Sequence, residues 1–266
     1  MDNPKNHLSL CTGYGGLDLG LRRVISNFRT VCYVEIEAFV IANVVAKIEE
    51  GWLDPAPIYT DLKTFPFSRF RGLVDILSGG FPCQPFSQAG AKKGVEDPRH
   101  LWPYIEQGIR DLGRPACVFF ENVEGIISTK IGEQSVLQHV LGRLENMGYR
   151  ATAGIFSASE IGASHQRKRV FILGINDTSG FRIKDFECSI GHPAKRGEYQ
   201  RWYEPPRTIK SEVGGTSHGD PDRMDISELY VSCSSRPDEI RMLGNGVVPD
   251  TASRAFTELW EELVNT

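Results

Sequence analysis

The sequence predicts an α/β fold, a doubly wound and mostly parallel sheet with one small irregular region appended. Short apolar runs rich in β-branched and aromatic residues alternate with stretches whose apolar residues recur every three or four positions. Strands alternating with helices in this way pair in parallel. The rhythm then stops from Asp177 to about Arg236, where Gly, Pro, Ser and charged residues dominate without period. With 266 residues, 40% of them hydrophobic and 24% charged, the chain is long enough for one large core and shows no bias toward disorder or fibre.

Taken in order, the runs His7–Cys11, Arg29–Val34, Val74–Ser78, Cys117–Phe120 and Val170–Gly174 are each short, apolar and bounded by polar, Gly or Pro residues, and each reads as a buried strand. Ile58–Thr60 is a further candidate. Ala38–Ile48 and Gln134–Asn146 carry helical spacing between them. After Pro249, apolar residues at 252, 255/256, 259/260 and 263 form a helical stripe that should pack back on the main domain. The expected division is a main domain of residues 1–174 and 237–266 and a small region of residues 175–236. A structureless run of that length is improbable in a compact domain, so it is expected to carry some fold of its own or to order on a partner.

No stretch reaches the roughly 18 apolar residues of a membrane span, and the first residues lack a basic then apolar leader, so a cytoplasmic protein is expected. The six cysteines (Cys11, Cys32, Cys83, Cys117, Cys188 and Cys233) include no Cys-x-x-Cys pair, and neither a zinc site nor a disulfide framework is suggested. No metal is expected. The net charge of −4 argues mildly against nucleic acid, but residues 165–210 hold ten Lys/Arg against five Asp/Glu, a basic segment in an otherwise acidic chain.

Chemistry concentrates where strands end. Leu10-Cys-Thr-Gly-Tyr-Gly-Gly16 is a glycine-rich turn between a strand and a helix, the place where backbone amides approach a nucleotide-like ligand; it also reads as a plain tight turn. About 20 residues on, Val34-Glu35-Ile36-Glu37 brings carboxylates that can accept from ribose hydroxyls. Asp61 follows the next candidate strand and can accept from an adenine amino group. A solvated strand-end charge is the alternative reading of either carboxylate. Gly-x-x-x-x-Gly-Lys is absent, so this is a pocket for adenosine without a phosphate-gripping lysine.

Gly79-Gly-Phe-Pro-Cys83-Gln-Pro-Phe-Ser87 follows the strand Val74–Ser78. A cysteine between prolines has little conformational freedom and is presented as a nucleophile requires, although a structural cysteine in a Pro-rich turn would look similar. Phe119-Phe-Glu121-Asn122-Val123 delivers a carboxylate to the same sheet end, where burial would protonate it for donation to a ring nitrogen. His165-Gln-Arg167-Lys-Arg169 sets a basic cluster before a strand, fit to hold a carbonyl and a phosphate or simply to form ion pairs.

In this order the segments resemble the C5-cytosine DNA methyltransferase family, of the bacterial or phage type, from Leu8 to Pro249 apart from the middle region. Asp97-Pro-Arg99-His-Leu101 and Gly244-Asn245-Gly-Val-Val-Pro249 add two more of the family's motifs. The resemblance implies a Rossmann-like sheet, S-adenosyl-L-methionine as cofactor, double-stranded DNA as partner, a restriction-modification context and a monomer. It implies Cys83 as nucleophile on cytosine C6, Glu121 at N3 and the exocyclic amine, Arg167 at O2, and Arg169 and Asn122 beside them. The implied cofactor residues are Cys11, Thr12, Gly13, Tyr14, Gly15 and Gly16 of the turn, Glu35, Ile36, Asp61, Leu62, Gly80, Pro82, Leu101, Asn245 and Val247. Gln84, Ser87, Arg99, His165, Arg196 and Arg201 are the implied DNA contacts. Arg182, Lys184, Lys195 and Trp202 join them by position and charge. The target base must leave the stack to reach this pocket.

Three departures stand out. Cys11 occupies a place where the family has an aromatic residue, with Ile36 or Tyr14 the candidates to compensate; His165 stands where glutamine is common; and the interval between Gly174 and Gly244 is short for a recognition region plus a further motif. Rival readings keep the chemistry but act on transfer RNA, against which Phe81 before Pro82 counts, or dispense with catalysis altogether, against which the intact Cys83, Glu121 and Arg167 count. A dehydrogenase-like dinucleotide domain fails because the turn lacks the Gly-x-Gly-x-x-Gly register.

Overall fold

The computed structural model describes residues 4–82, 101–162, 166–176 and 246–265. β1 (Lys5–Leu10), α1 (Gly16–Val24), β2 (Phe28–Val34), α2 (Ala38–Glu49) and the short β3 (Ile58–Tyr59) come first. Then follow β4 (Ile76–Gly79), α3 (Trp102–Asp111), β5 (Cys117–Val123), the single turn α4 (Gly125–Ser128) and a small hairpin of β6 (Lys130–Ile131) with β7 (Gln134–Ser135). α5 (Val136–Asn146), β8 (Tyr149–Ser157), β9 (Lys168–Asn176) and α6 (Pro249–Asn265) complete the described elements.

The main sheet runs β3-β2-β1-β4-β5-β9-β8. Pairing is parallel from β3 to β5 and antiparallel for β5 with β9 and β9 with β8. The α/β, doubly wound and mostly parallel expectation is therefore met. The order reverses between β1 and β4, whose ends meet in register at Leu10 and Gly79. In open α/β sheets such a switch point leaves a crevice at the carboxyl ends of the strands, where ligands bind.

Strand alternation divides the core between the two faces. Leu8, Leu10, Leu77, Val118, Phe120, Val170 and Ile172 point to one face and pack with Ile105 and Ile109 of α3 and Val140 and Leu144 of α5. Ile76, Cys117, Phe119, Phe171 and Leu173 point to the other, against Leu17 and Leu21 of α1 and Ala252, Phe256 and Leu259 of α6. α6 lies tightly on α1. A Cβ added at Gly20 would stand 2.7 Å from both Ala252 Cβ and Pro249 O. Ser253 Oγ donates to Gly20 O at 2.8 Å, and Arg23 pairs with Asp250. The packing expected of the stripe after Pro249 is what the helix does.

The elements differ from expectation in three places. β8 has no counterpart in the sequence reading, because Tyr149–Ser157 mixes Arg150, Thr152 and Gly154 with small residues and offers no apolar run; its pairing with β9 makes it a strand. β9 extends to Asn176 because the ladder with β5 and β8 continues past Gly174, so residues 175 and 176 belong to the sheet and not to the small region. Gln134 and Ser135 form β7 rather than the start of a helix. Ser135 caps α5 instead, accepting from Gln138 N while the Gln138 side chain returns to Ser135 N. Among the described residues no helix is long and apolar enough to cross a membrane, and no cluster of His, Cys, Asp or Glu could hold a metal ion.

Candidate functional site

At the end of β1 the chain turns sharply: Cys11, Gly13 and Gly15 have φ of 47°, 57° and 84°. The turn is pinned from β2. Glu35, 7% exposed, accepts from Gly13 N at 2.9 Å through Oε2 and from Ile36 N and Glu37 N at 2.8 and 3.0 Å through Oε1. Charge-assisted bonds from backbone amides are among the stronger ones, so Glu35 shapes the turn itself and is no solvated strand end. Next to it the Ile36 side chain is 69% exposed, an apolar surface left open at the crevice. Asp61 caps the turn after β3, its Oδ1 accepting from Lys63 N at 2.9 Å. Burial and the Glu35 charge push the Cys11 thiol up to about 12, which rules it out as a thiolate at neutral pH.

Across the switch point, Gly79-Gly-Phe-Pro82 is anchored by Phe81, whose buried ring lies 5.6 Å from Trp102 and 5.8 Å from Phe120. Asn122, 2% exposed, donates to Phe81 O at 2.9 Å and accepts from Val123 N at 2.9 Å. This ties the backbone two residues before Cys83 to the strand that carries Glu121. A Cβ at Gly80 would stand 3.3 Å from Glu121 Oε2, so the two segments converge on one spot.

Glu121 is 6% exposed, and its Oε1 lies 2.8 Å from Arg169 Nε. Burial lifts its carboxyl to about 7 although Arg169 and Arg167 pull the other way. At neutral pH it is therefore divided between acid and carboxylate. Arg169 stands two residues before Phe171, the partner of Glu121 in the antiparallel ladder, which makes the pair diagonal neighbours on one face. Arg167 precedes the strand and instead donates to the Gly246 carbonyl. Burial, then the neighbouring Arg169, lowers its pKa. Of the two arginines, Arg169 is the one ion-paired with the buried acid.

The segment 246–248 before α6 meets the glycine-rich turn directly. A Cβ at Gly16 would stand 2.0 Å from Val247 O, and one at Gly246 only 1.5 Å from Tyr14 Cε1. Among the expected cofactor residues, Thr12, Tyr14, Leu62 and Val247 have buried side chains, and Leu62 and Val247 belong to the core clusters, so those two offer a pocket backbone rather than side chain. Pro82 is exposed and Leu101 half-buried at the head of α3. Cys83, Gln84, Ser87, Arg99, His165, Arg182, Lys184, Lys195, Arg196, Arg201, Trp202 and Asn245 lie outside the described residues.

Sequence reasoning missed a buried polar network beneath the turn. Ser9 Oγ donates to Asp18 Oδ2 at 3.0 Å, and His7 lies between Thr30 Oγ1 at 3.0 Å and Ser78 Oγ at 2.8 Å. The signal was present as His7 and Ser9 alternating with Leu8 and Leu10, polar residues on the face of β1 that looks toward α1.

A doubly wound sheet with a glycine-rich turn, an acidic clamp on the second strand and a buried acid–arginine pair at its switch point is a Rossmann-like arrangement. The chain matches the family of C-5 cytosine-specific DNA methylases over residues 6–213, and it belongs to that family. It is 30% identical to the Type II methyltransferase M.NlaX of Neisseria lactamica over 197 residues, 74% of this chain and 59% of that protein. With M.NgoPII of Neisseria gonorrhoeae it shares 31% identity over 72% of this chain and 52% of the relative. It thus spans little more than half the length of these curated relatives. Among solved structures, the Dnmt2 methyltransferase of Schizosaccharomyces pombe superposes with a TM-score of 0.63 at 19% identity, covering 97% of this chain and 99% of that one. A DNA modification methyltransferase encoded in an Escherichia coli prophage superposes with a TM-score of 0.52 at 24% identity, over 68% and 49% of the two chains.

Proposed function

We propose that the chain transfers a methyl group from S-adenosyl-L-methionine to C5 of cytosine in double-stranded DNA, acting in the cytoplasm on a base swung out of the helix. The observation that carries this reading is the buried Glu121, held by Arg169 at 2.8 Å beside the stretch that leads into Cys83. The residues at the glycine-rich turn fit the cofactor. Gly13 has open space beside it, Ile36 offers an apolar face for an adenine, and Asp61 caps the turn after the next strand. Gly13, Gly15, Glu35, Ile36 and Asp61 would hold it. Bound there, it supplies a methyl group made electrophilic by a sulfonium.

Cytosine C5 is a poor nucleophile, and the protein's task is to change that. The Cys83 thiolate adds to C6, and the ring electrons move so that C5 becomes enamine-like. Glu121 in its protonated form donates to N3 as negative charge develops there, while its other oxygen accepts from the exocyclic amine. Arg169 holds that carboxyl in place, and Arg167 is the residue assigned to O2. Asn122 keeps the approach to Cys83 in register with β5. Once C5 carries the methyl group, loss of its proton to water and expulsion of Cys83 restore the aromatic ring. Target reading is assigned to residues 177–236 and the catalytic domain to the rest. The relatives' description as Type II methyltransferases supports a restriction-modification role.

The test is to incubate the protein with labelled S-adenosylmethionine and duplex DNA containing 5-fluorocytosine, with transfer RNA in a parallel arm. A covalent adduct on DNA that disappears in Cys83→Ser is expected. No adduct on any DNA, or one that survives the substitution, refutes the reading; an adduct on RNA alone changes the substrate.

A further inference from the structure

We propose that Tyr14 is a positioning residue that couples the cofactor turn to the base pocket: its ring braces Gly246, and the Gly246 carbonyl in turn holds Arg167. The inference rests on the methyl-transfer reading above.

Tyr14 sits at the middle of the glycine-rich turn yet is only 8% exposed. Its ring is gripped on two sides by positions that tolerate no side chain. A Cβ at Gly246 would stand 1.5 Å from Cε1 and 2.3 Å from Cζ, and one at Gly16 would stand 3.1 Å from Cε2. The backbone of the segment before α6 therefore rests against the tyrosine ring itself. Arg167 donates to the carbonyl of the same residue, Gly246. The phenol is also within electrostatic reach of the acid and both arginines. Burial pushes it up to about 12, Arg167 and Arg169 draw it down, and Glu121 pushes it up further. One side chain thus meets the turn that would carry the cofactor, the segment that closes over it, and the charges that would face the base. A smaller side chain opens a void beside Gly246 and releases its carbonyl, and Arg167 with it. Glu121 then loses part of the positive field that lowers its pKa, so its proton is held to higher pH.

The experiment uses the full chain and the variants Tyr14→Leu and Tyr14→Phe. Methyl transfer to duplex DNA is followed from pH 5.5 to 9, and amide hydrogen exchange is followed in the protein alone. Tyr14→Leu should lower kcat by roughly tenfold, as misplaced catalytic groups do, with KM for DNA little changed. The alkaline limb of its pH profile should move up by about half a unit to one unit, the size expected for loosening one nearby charge. Exchange should rise at residues 247–252 and stay unchanged in β5. Tyr14→Phe should recover most of each loss, because the ring and not the hydroxyl is the brace.

A Tyr14→Leu protein that raises KM for S-adenosylmethionine alone, with the limb and the exchange unmoved, would make Tyr14 a pocket wall and overturn the proposal. Failure of Tyr14→Phe as severe as that of Tyr14→Leu would overturn it too. If the wild type methylates no DNA, the proposed function falls, and the exchange measurement still decides the brace by itself.

Discussion

Replacing Asp18 by Asn should stabilise this protein at pH 8 and leave its stability almost unchanged near pH 4. Asp18 is 2% exposed at the start of α1, receives a hydrogen bond from Ser9 at 3.0 Å, and has its other oxygen 3.5 Å from His7 Nδ1. His7 offers no cation, because burial takes its pKa down to about 3, and burial raises Asp18 to about 7. A carboxyl whose pKa is higher in the folded than in the unfolded chain holds its proton better when folded. Stability from this group is therefore whole below about 4, falls as pH rises from there to about 7, and is flat above. A shift of roughly three units at about 1.4 kcal/mol each sets an upper bound of about 4 kcal/mol at pH 8. Asparagine keeps an acceptor for Ser9 and carries no charge. Allowing for an imperfect fit of its amide toward His7, a gain of about 2–4 kcal/mol is expected at pH 8. Urea unfolding of wild type and variant at pH 4.5 and pH 8 measures it. His7 itself titrates in the opposite sense, its stability being lost as pH falls from 6.5 toward 3, but it is common to both proteins and cancels in the difference. A variant less stable than wild type by a similar amount at both pH values would refute the argument, since it would mean a charged carboxylate paired with an imidazolium.

Glu121→Gln should lose turnover by about a hundredfold or more while S-adenosylmethionine binding persists. With a carboxyl near 7, wild-type turnover should fall above that pH as the donor proton is lost, and the glutamine variant should lack that fall; single-turnover rates from pH 5.5 to 9 decide it. Gly16→Ala drives a methyl group to 2.0 Å from the Val247 carbonyl, backbone that cannot simply rotate away. It should cost at least about 1–3 kcal/mol and weaken cofactor affinity, read by urea unfolding and calorimetry. Asn122→Ala strips Phe81 O of its donor and Val123 N of its acceptor in a buried place. A loss of about 1–3 kcal/mol and slower adduct formation by Cys83 should follow, and normal adduct kinetics would show that the tie does not position the loop.

The sheet was readable where burial on both faces forces continuous apolar runs, as in Cys117–Phe120 and Val170–Gly174. β8 was not, because an edge strand of Arg150, Thr152 and Gly154 takes its identity from pairing with β9 rather than from its own composition. The glycine-rich turn, Glu35 and Glu121 were readable as candidates from their places at strand ends, and the bonds that Glu35 and Glu121 make came only with the tertiary structure. Asp18 passed unnoticed, since one acid in the first turn of a helix is ordinary until Ser9 and His7 are seen beneath it.

By itself the sequence indicated most strands of the sheet, the glycine-rich turn after the first of them and the candidate cysteine, acid and arginines, all of which follow from residue type and local spacing. The tertiary structure alone decided who meets whom. The antiparallel register of β5 with β9 puts Arg169 diagonal to Glu121 and leaves Arg167 to Gly246, although the two arginines are only two residues apart. Register depends on hydrogen bonds between segments about 50 residues apart in the chain, and no local pattern in either segment encodes it.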